Sequence, residues 1–414
     1  MKKHMKPYFQ TLKGGLFETV NKADVGDNSE KMKENGVAML SWADPFFPDD
    51  KLDKDVKAAL EESLLNGSAQ HYTAPIGNSE LKSVIAEKLW EDNKLRVDSK
   101  RNIIITPGSD AALFYSLVPF VERGDEVMIV DPSYPNNFQA VEILGGIPVS
   151  VPVRAENGFE LEMGEFEKRL TSKTKMIILT NPNNPTTVVY SRESLEALAE
   201  FIQKKDLIIV VDQAFEDIVF DEKEMVTMAA LDGMFERTIT VFSISKGFGL
   251  SGLRVGYIAA PDTLIDAMFA SAVSVIGATN TAAQLAAITA LKKRKVLLKE
   301  YTEIFERRRR MVYDALYDIP GVEIQMPQSA FLSWIDTSAL GNSDEIVNYL
   351  VDEAKVFVNA GNCYGTRGEG YIRMVQGCYK DDAKIEEAIM RIREALLKKT
   401  MKKDSDRRAN DGKK

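Results

Sequence analysis

Five short runs of branched apolar residues, at 102–106, 126–130, 175–179, 207–211 and 238–242, recur along the chain. Between them lie longer segments with helical spacing at 110–121, 136–144 and 191–204. Nearly continuous apolar runs are what a strand buried on both faces requires, and the alternation with helices implies a mostly parallel sheet covered on both sides. In such α/β sheets the chemistry belongs outside the carboxyl ends of the strands. The sequence is therefore read at those ends.

After the last of the five runs stands Ser243-Ile244-Ser245-Lys246-Gly247-Phe248-Gly249-Leu250-Ser251-Gly252-Leu253-Arg254. On this segment alone, Lys246 is equally a solvated lysine and a nucleophilic amine. In the second reading the hydroxyls and Arg254 bind a phosphate and the amine forms a Schiff base, which suggests pyridoxal phosphate. The glycines also spell G-x-G-x-x-G, but that fingerprint needs a helix opening at the glycines. Residues 254–261 read as a strand instead, so no nicotinamide cofactor is expected.

The other strand ends carry comparable features, each with a structural alternative. Thr106-Pro107-Gly108-Ser109-Asp110 is a glycine turn opening a helix, an anion site common enough to assign nothing by itself. Asp131-Pro132-Ser133-Tyr134 places an aromatic ring at the sheet edge, either a structural tyrosine or a stacking platform for a planar cofactor. Thr180-Asn181-Pro182-Asn183-Asn184-Pro185-Thr186 is a dense turn whose amides either serve the backbone or bond a ring substituent. Asp212 ends the run 207–211, where a carboxylate is costly without a cationic partner such as a protonated pyridine.

Composition removes other classes. The chain has 414 residues, 44% hydrophobic and 28% charged, enough for a large core and two domains. A net charge of -9 argues against nucleic acid as a partner, and Arg307 to Arg310, beside Glu303 and Glu306, read as a solvated, ion-paired helix face. With no apolar stretch of spanning length and no secretory signal, a cytoplasmic, non-membrane protein is expected. Two cysteines and two histidines, His4 and His71, support neither a disulfide framework nor a metal site. His71 lies in Gln70-His71-Tyr72-Thr73-Ala74-Pro75, a loop context that disfavours a hydrolase triad.

The organisation expected is an N-terminal arm at 1–50 that also contributes to a smaller domain and a large α/β domain at 51–295. A small α+β domain at 296–397 follows, then a polar, disordered tail at 398–414. The charged stretch Lys292-Lys293-Arg294-Lys295 marks the main boundary, a long helix is expected at 297–316, and strands near 322–325 and 331–335.

Taken in order, these motifs resemble the fold type I pyridoxal phosphate enzymes, specifically the class I/II aminotransferases, over roughly residues 40–397. The resemblance implies that Lys246 forms the internal aldimine, Asp212 pairs the pyridine nitrogen, Asn184 bonds the ring 3-oxygen and Tyr134 stacks on the ring. It implies that Gly108, Ser109, the Asp110 amide, Ser243, Ser245 and Arg254 form the phosphate cup. Tyr72 matches the tyrosine that reaches the neighbouring subunit's phosphate, so a homodimer is implied. Arg373, in Gly370-Tyr371-Ile372-Arg373-Met374, matches the arginine that clamps the substrate α-carboxylate, with Asn184 beside it. The implied reaction moves an amino group from an L-amino acid to a 2-oxo acid by a ping-pong route, with a C–S/β-elimination lyase or decarboxylase of the same fold as the rival. A regulator built on the same domain would need a DNA-binding segment, for which residues 1–45 are too short and not basic enough.

The sequence departs from the family pattern at three places. Phe215, in Asp212-Gln213-Ala214-Phe215, stands where a tyrosine is usual, so the ring 3-oxygen loses a donor and the protonated form of the aldimine is expected to persist to higher pH. Thr187 and Ser329 each stand where glycine is common. The absence of arginine between Arg254 and Arg294 favours neutral, aromatic or basic substrates over dicarboxylic ones.

Overall fold

The computed structural model describes Lys6 and residues 36–411, with side chains through Lys403. His4 and most of the N-terminal arm lie outside the described residues. The chain divides into two compact units, one of residues 51–184 and 188–302, the other of 1–50, 185–187 and 303–414. The division, after Thr302, falls inside the helix Arg294–Leu316, whose first residues belong to the charged stretch.

The first unit is built on a seven-stranded sheet: β1 (Ile103–Thr106), β2 (Glu126–Asp131), β3 (Ile147–Pro152), β4 (Thr174–Thr180), β5 (Ile208–Asp212), β6 (Thr238–Ser243) and β7 (Gly256–Ala259), in the order β1-β7-β6-β5-β4-β2-β3. All neighbours are parallel except β7, which runs against both β6 and β1. Alternate strand residues feed two separate apolar clusters. Ile103, Ile105, Phe242, Tyr257 and Ala259 join α1 (Lys54–Leu65), α2 (Ser79–Glu91) and the later helix at Thr281–Lys292 on one face. Ile104, Val241 and Ile258 join α3 (Ser109–Tyr115), α4 (Pro135–Leu144) and the helix at Asp262–Ile276 on the other. This two-sided burial is why the strands read as unbroken apolar runs.

Helix boundaries follow local chemistry. Asn78 caps α2 by accepting from the N–H groups of Glu80 and Leu81. The helix expected at 110–121 stops at Tyr115. Pro119 disfavours helical backbone at Val118, and the Ser116 hydroxyl turns back onto the Ala112 carbonyl at 2.8 Å. Strand β3 was not expected. It is an edge strand with Pro148 and Pro152 and an exposed Ile147, a composition that blurs the strand pattern.

The second unit holds an antiparallel sheet of β8 (Glu323–Ile324), β9 (Leu332–Asp336), β10 (Asn359–Ala360) and β11 (Tyr371–Val375), ordered β10-β11-β9-β8. Ala38–Met39 pairs in parallel with Val356–Phe357. The arginine run corrects its sequence reading. Arg307 and Arg310 are exposed and ion-paired to Asp382 and Glu306, but Arg308 and Arg309 are buried. Arg308 donates to Asp382 and to the carbonyls of Gln376 and Cys378, and Arg309 to the carbonyl of Pro327. A guanidinium with several carbonyl acceptors can be buried where an unpartnered one cannot. The final helix, Asp382–Asp411, carries its backbone into the segment expected to be disordered. Extending an existing helix avoids the nucleation cost that an isolated polar segment would face.

Candidate active site

Sheet register brings the first unit's candidates to one edge. Thr180, Asp212 and Val241 lie side by side on β4, β5 and β6. Ser243, Gly256 and Thr106 form the adjoining row on β6, β7 and β1. Because β7 runs backwards, the loop 244–255 leaves this edge at Ser243 and returns to it at Gly256. Lys246 and Arg254 both lie on that loop.

Asp212 is buried at the end of β5 and accepts from the Ala214 N–H at 3.0 Å. Burial pushes its carboxyl up to about 7, with the Ala214 hydrogen bond and Lys246 pulling the other way and Asp110 adding to the rise. Half-buried Lys246 has its Nζ 6.0 Å from the centroid of the Phe215 ring, on the turn that follows Asp212. Asn184 is buried in the turn after β4. That turn is held to Asp212 by the Asn181 N–H, which donates to the Asp212 carbonyl at 2.9 Å.

Arg254 sits in left-handed backbone, φ 53°, and its guanidinium packs against Gly108, where any Cβ would collide with it. Its Nη1 donates to the Ser251 carbonyl at 2.9 Å, and Nη2 lies 3.8 Å from Asp110 Oδ2. Asn136 joins this group to the aromatic candidate: its Nδ2 is 2.9 Å from Asp110 Oδ1 and 3.3 Å from the Tyr134 hydroxyl. The Ser243 hydroxyl accepts from the Ser245 N–H at 3.1 Å. Two residues missing from the sequence reading belong here, Asn136 and Gly256. A Cβ on Gly256 would stand 2.7 Å from the Gly108 carbonyl carbon and 2.8 Å from the Ser109 nitrogen. Its signal was visible as a glycine interrupting the apolar run 255–260.

Tyr72 is not gathered into this edge. Its side chain is 94% exposed, beside exposed His71. Arg373 belongs to the other unit. There it is buried on β11, opposite Asn359 and Trp334. Its Nε and Nη2 donate to Asn359 Oδ1 at 3.0 and 2.6 Å, Nη2 also to the Ser41 carbonyl at 2.8 Å, and its guanidinium lies 4.8 Å from the Tyr364 ring centroid.

The family "Aminotransferase class I and II" matches residues 38–392. The chain belongs to the class I and II aminotransferases. It is 35% identical to "Aromatic-amino-acid aminotransferase 2" of Thermococcus litoralis, over 88% of this chain and 93% of that one. It is also 35% identical to an aspartate aminotransferase of Pyrococcus abyssi, over 86% and 91%. Among solved structures, an aromatic aminotransferase from Pyrococcus horikoshii OT3 superposes with a TM-score of 0.83 at 33% identity, covering 90% of this chain and 99% of that one. As a class I and II aminotransferase the protein uses pyridoxal phosphate and moves an amino group from an amino acid to a 2-oxo acid. These relatives favour neither the lyase nor the decarboxylase alternative.

The side chains at the sheet edge fit that cofactor chemically. Ser109, Ser243 and Arg254 offer donors and a positive charge suited to a phosphate, and the absence of a side chain at Gly108 and Gly256 lets the Arg254 guanidinium and the Gly108–Ser109 backbone pack in close to them. Buried Asp212 offers a carboxylate suited to a protonated ring nitrogen. Among the described residues no cluster of His, Cys, Asp and Glu could hold a metal.

Proposed function

We propose that the edge formed by Asp212, Ser243, Lys246 and Arg254 is the catalytic centre, with Lys246 as the residue that carries the cofactor and moves the substrate's proton. The observation that carries this reading is the sheet register: Asp212, buried, ends β5 in one strand row, and the adjoining row holds Ser243 and Gly256, the two ends of the loop that bears Lys246 and Arg254. Bound pyridoxal phosphate supplies an electron sink for the α-carbon of the amino acid. Asp212 would keep a positive charge at the ring nitrogen, deepening that sink. Asn184 would bond the ring 3-oxygen and Tyr134 would stack on the ring. Gly108, Ser109, the Asp110 N–H, Ser243, Ser245 and Arg254 would hold the phosphate. The free amine of Lys246 would take the α-proton as general base and give it back as general acid.

The same reading gives Arg373 the substrate α-carboxylate, with Asn184 contributing, and gives Tyr72 the phosphate of a second subunit. A side chain 94% exposed, following Leu65 at 89% exposure, suits a homodimer in which both become covered. The protein is proposed to act in the cytoplasm. Amino donors with neutral, aromatic or basic side chains are favoured, because no arginine occurs between Arg254 and Arg294 to take a second carboxylate.

Lys246→Ala is the decisive variant. It is expected to abolish turnover and the visible absorbance of lysine-linked cofactor, and retained turnover would overturn the assignment. A donor screen following loss of that absorbance in single half-reactions ranks the substrates. Faster reaction with aspartate than with phenylalanine would remove the proposed preference.

A further inference from the structure

The turn from Asp212 to Asp217 is fixed from its other side by a buried polar knot. Glu216 accepts from the ammonium of Lys88, from Asn93 Nδ2 at 2.5 Å and from Gln213 Nε2 at 2.9 Å. Lys88 also donates to Asn93 Oδ1 at 2.8 Å, and both Asn93 and Gln213 reach the Thr227 hydroxyl, at 2.9 and 3.2 Å. The side chains of Lys88 and Glu216 are only 3% and 6% exposed. Burial draws the Lys88 ammonium down, but Glu216, Asp217 and Asp92 outweigh it and hold it above its ordinary value.

Stability is a poor reason to bury such a pair. Desolvating both ions costs about as much as their attraction returns, and a well-packed apolar replacement is often as stable. The six-residue turn, by contrast, touches the candidate centre at three points. Asp212 lies at its start. Phe215 places its ring beside Lys246 Nζ. Asp217 packs against Gly247, the next residue after Lys246, so closely that a Cβ there would lie 2.6 Å from Asp217 Oδ2. The ammonium of Lys88 also lies 5.4 Å from the ring centroid of Phe242, the residue before Ser243.

We propose that Lys88 is a positioning residue: through its buried ion pair with Glu216 it sets the Asp212–Asp217 turn against Lys246 and so determines how tightly and in what orientation the cofactor is held. This rests on the reading that Lys246 and Asp212 hold the cofactor. The test compares the holoenzyme with Lys88→Met/Glu216→Leu, which replaces the ion pair by apolar side chains, and with Lys88→Arg, which keeps the charge. Melting temperature, the cofactor dissociation constant and the visible circular dichroism of the bound cofactor are measured.

The apolar double variant is expected to fold but to melt below the wild type, because Asn93 Nδ2 and Gln213 Nε2 lose Glu216 as acceptor. Its cofactor is expected to bind about tenfold more weakly, with a reduced visible dichroism, and Lys88→Arg to restore both signals. A double variant with wild-type cofactor affinity and dichroism would overturn the proposal, as would a Lys88→Arg variant no better than the apolar one. Should the double variant fail to fold, Glu216→Gln keeps the side-chain shape without the charge, and unchanged affinity and dichroism in it would overturn the proposal equally. Lys246→Ala, run alongside, reports separately on the underlying reading: persistence of the lysine-linked visible band in that variant would refute it without bearing on the turn.

Discussion

The Ser329 hydroxyl donates a buried 2.7 Å hydrogen bond to the carbonyl oxygen of Thr187. Both stand where the family pattern is expected to carry glycine, and both lie in the same compact unit. Thr187 has φ 65°, and Ala330, next to Ser329, has φ 62°. A β-branched residue in that region is strained, by about 1–3 kcal/mol. The hydroxyl of one unusual residue thus anchors the backbone of the other. Restoring glycine at Thr187 is expected to raise stability by ~1 kcal/mol, strain relief being partly offset by the freer unfolded chain. Ser329→Ala is expected to cost ~1–2 kcal/mol by stranding a buried carbonyl. Denaturant unfolding of each variant checks these values: wild-type stability in Ser329→Ala would remove the anchoring role of the hydroxyl.

Phe215 predicts a spectroscopic difference. Without a tyrosine hydroxyl at this position, the protonated form of the cofactor–lysine linkage should persist to higher pH. Phe215→Tyr should lower the midpoint of the visible absorbance titration, by about one pH unit if the new hydroxyl donates one hydrogen bond to the cofactor. Identical midpoints would exclude a role for this position in tuning the linkage.

Asp212 predicts a pH-dependent stability. Its carboxyl is raised from the ordinary 3.8 to about 7, chiefly by burial, so the cofactor-free fold favours the neutral acid. That contribution is complete below about pH 4 and is lost as pH rises towards 7. Asp212→Asn removes the titration. The melting temperature of the cofactor-free wild type should therefore fall relative to that of the variant between pH 4 and 8. Parallel melting curves across this window would contradict the assignment. With the cofactor bound, a cation beside Asp212 favours the carboxylate and the relative fall should shrink.

Gly256 predicts a steric effect. Adding a Cβ here pushes against the Gly108 carbonyl carbon and the Ser109 nitrogen, backbone atoms that cannot swing aside. Gly256→Ala should weaken cofactor binding about tenfold or more, read by titration of the cofactor-free protein. Gly252→Ala, where a Cβ meets nothing within 4 Å, serves as the control.

What the sequence could reveal was what depends on local pattern. The five apolar runs became β1, β2, β4, β5 and β6 with shifts of a residue or so at their ends, because burial on both faces leaves a pattern that needs no partner to be read. Asp212 and Lys246 stood out as candidates for a related reason: each puts costly or reactive chemistry at or just past the end of such a strand. Lys88 and Glu216 did not. They stand 128 positions apart, and as single residues each resembles an ordinary helix-surface or turn charge. Only the sheet and the helix packed on it bring them together out of water. Arg308 was misread for the same reason, since its carbonyl partners lie some 70 positions further along the chain. Gly256 lay in plain view, but the backbone it must admit comes from β1's end, far away in sequence.

The reversed direction of β7 has a consequence for how this centre could fail or be altered. Lys246 and Arg254 hang on one short tether whose two ends are clamped by Ser243 and Gly256 in the same strand row. The spacing between the Lys246 amine and the Arg254 charge is consequently set by the loop, and the sheet contributes only fixed posts. Phe248 and Leu250 on this loop are themselves buried in the core cluster that α1 and α2 share, so a residue inserted or deleted between positions 247 and 253 would shift one group relative to the other and unseat core side chains with it.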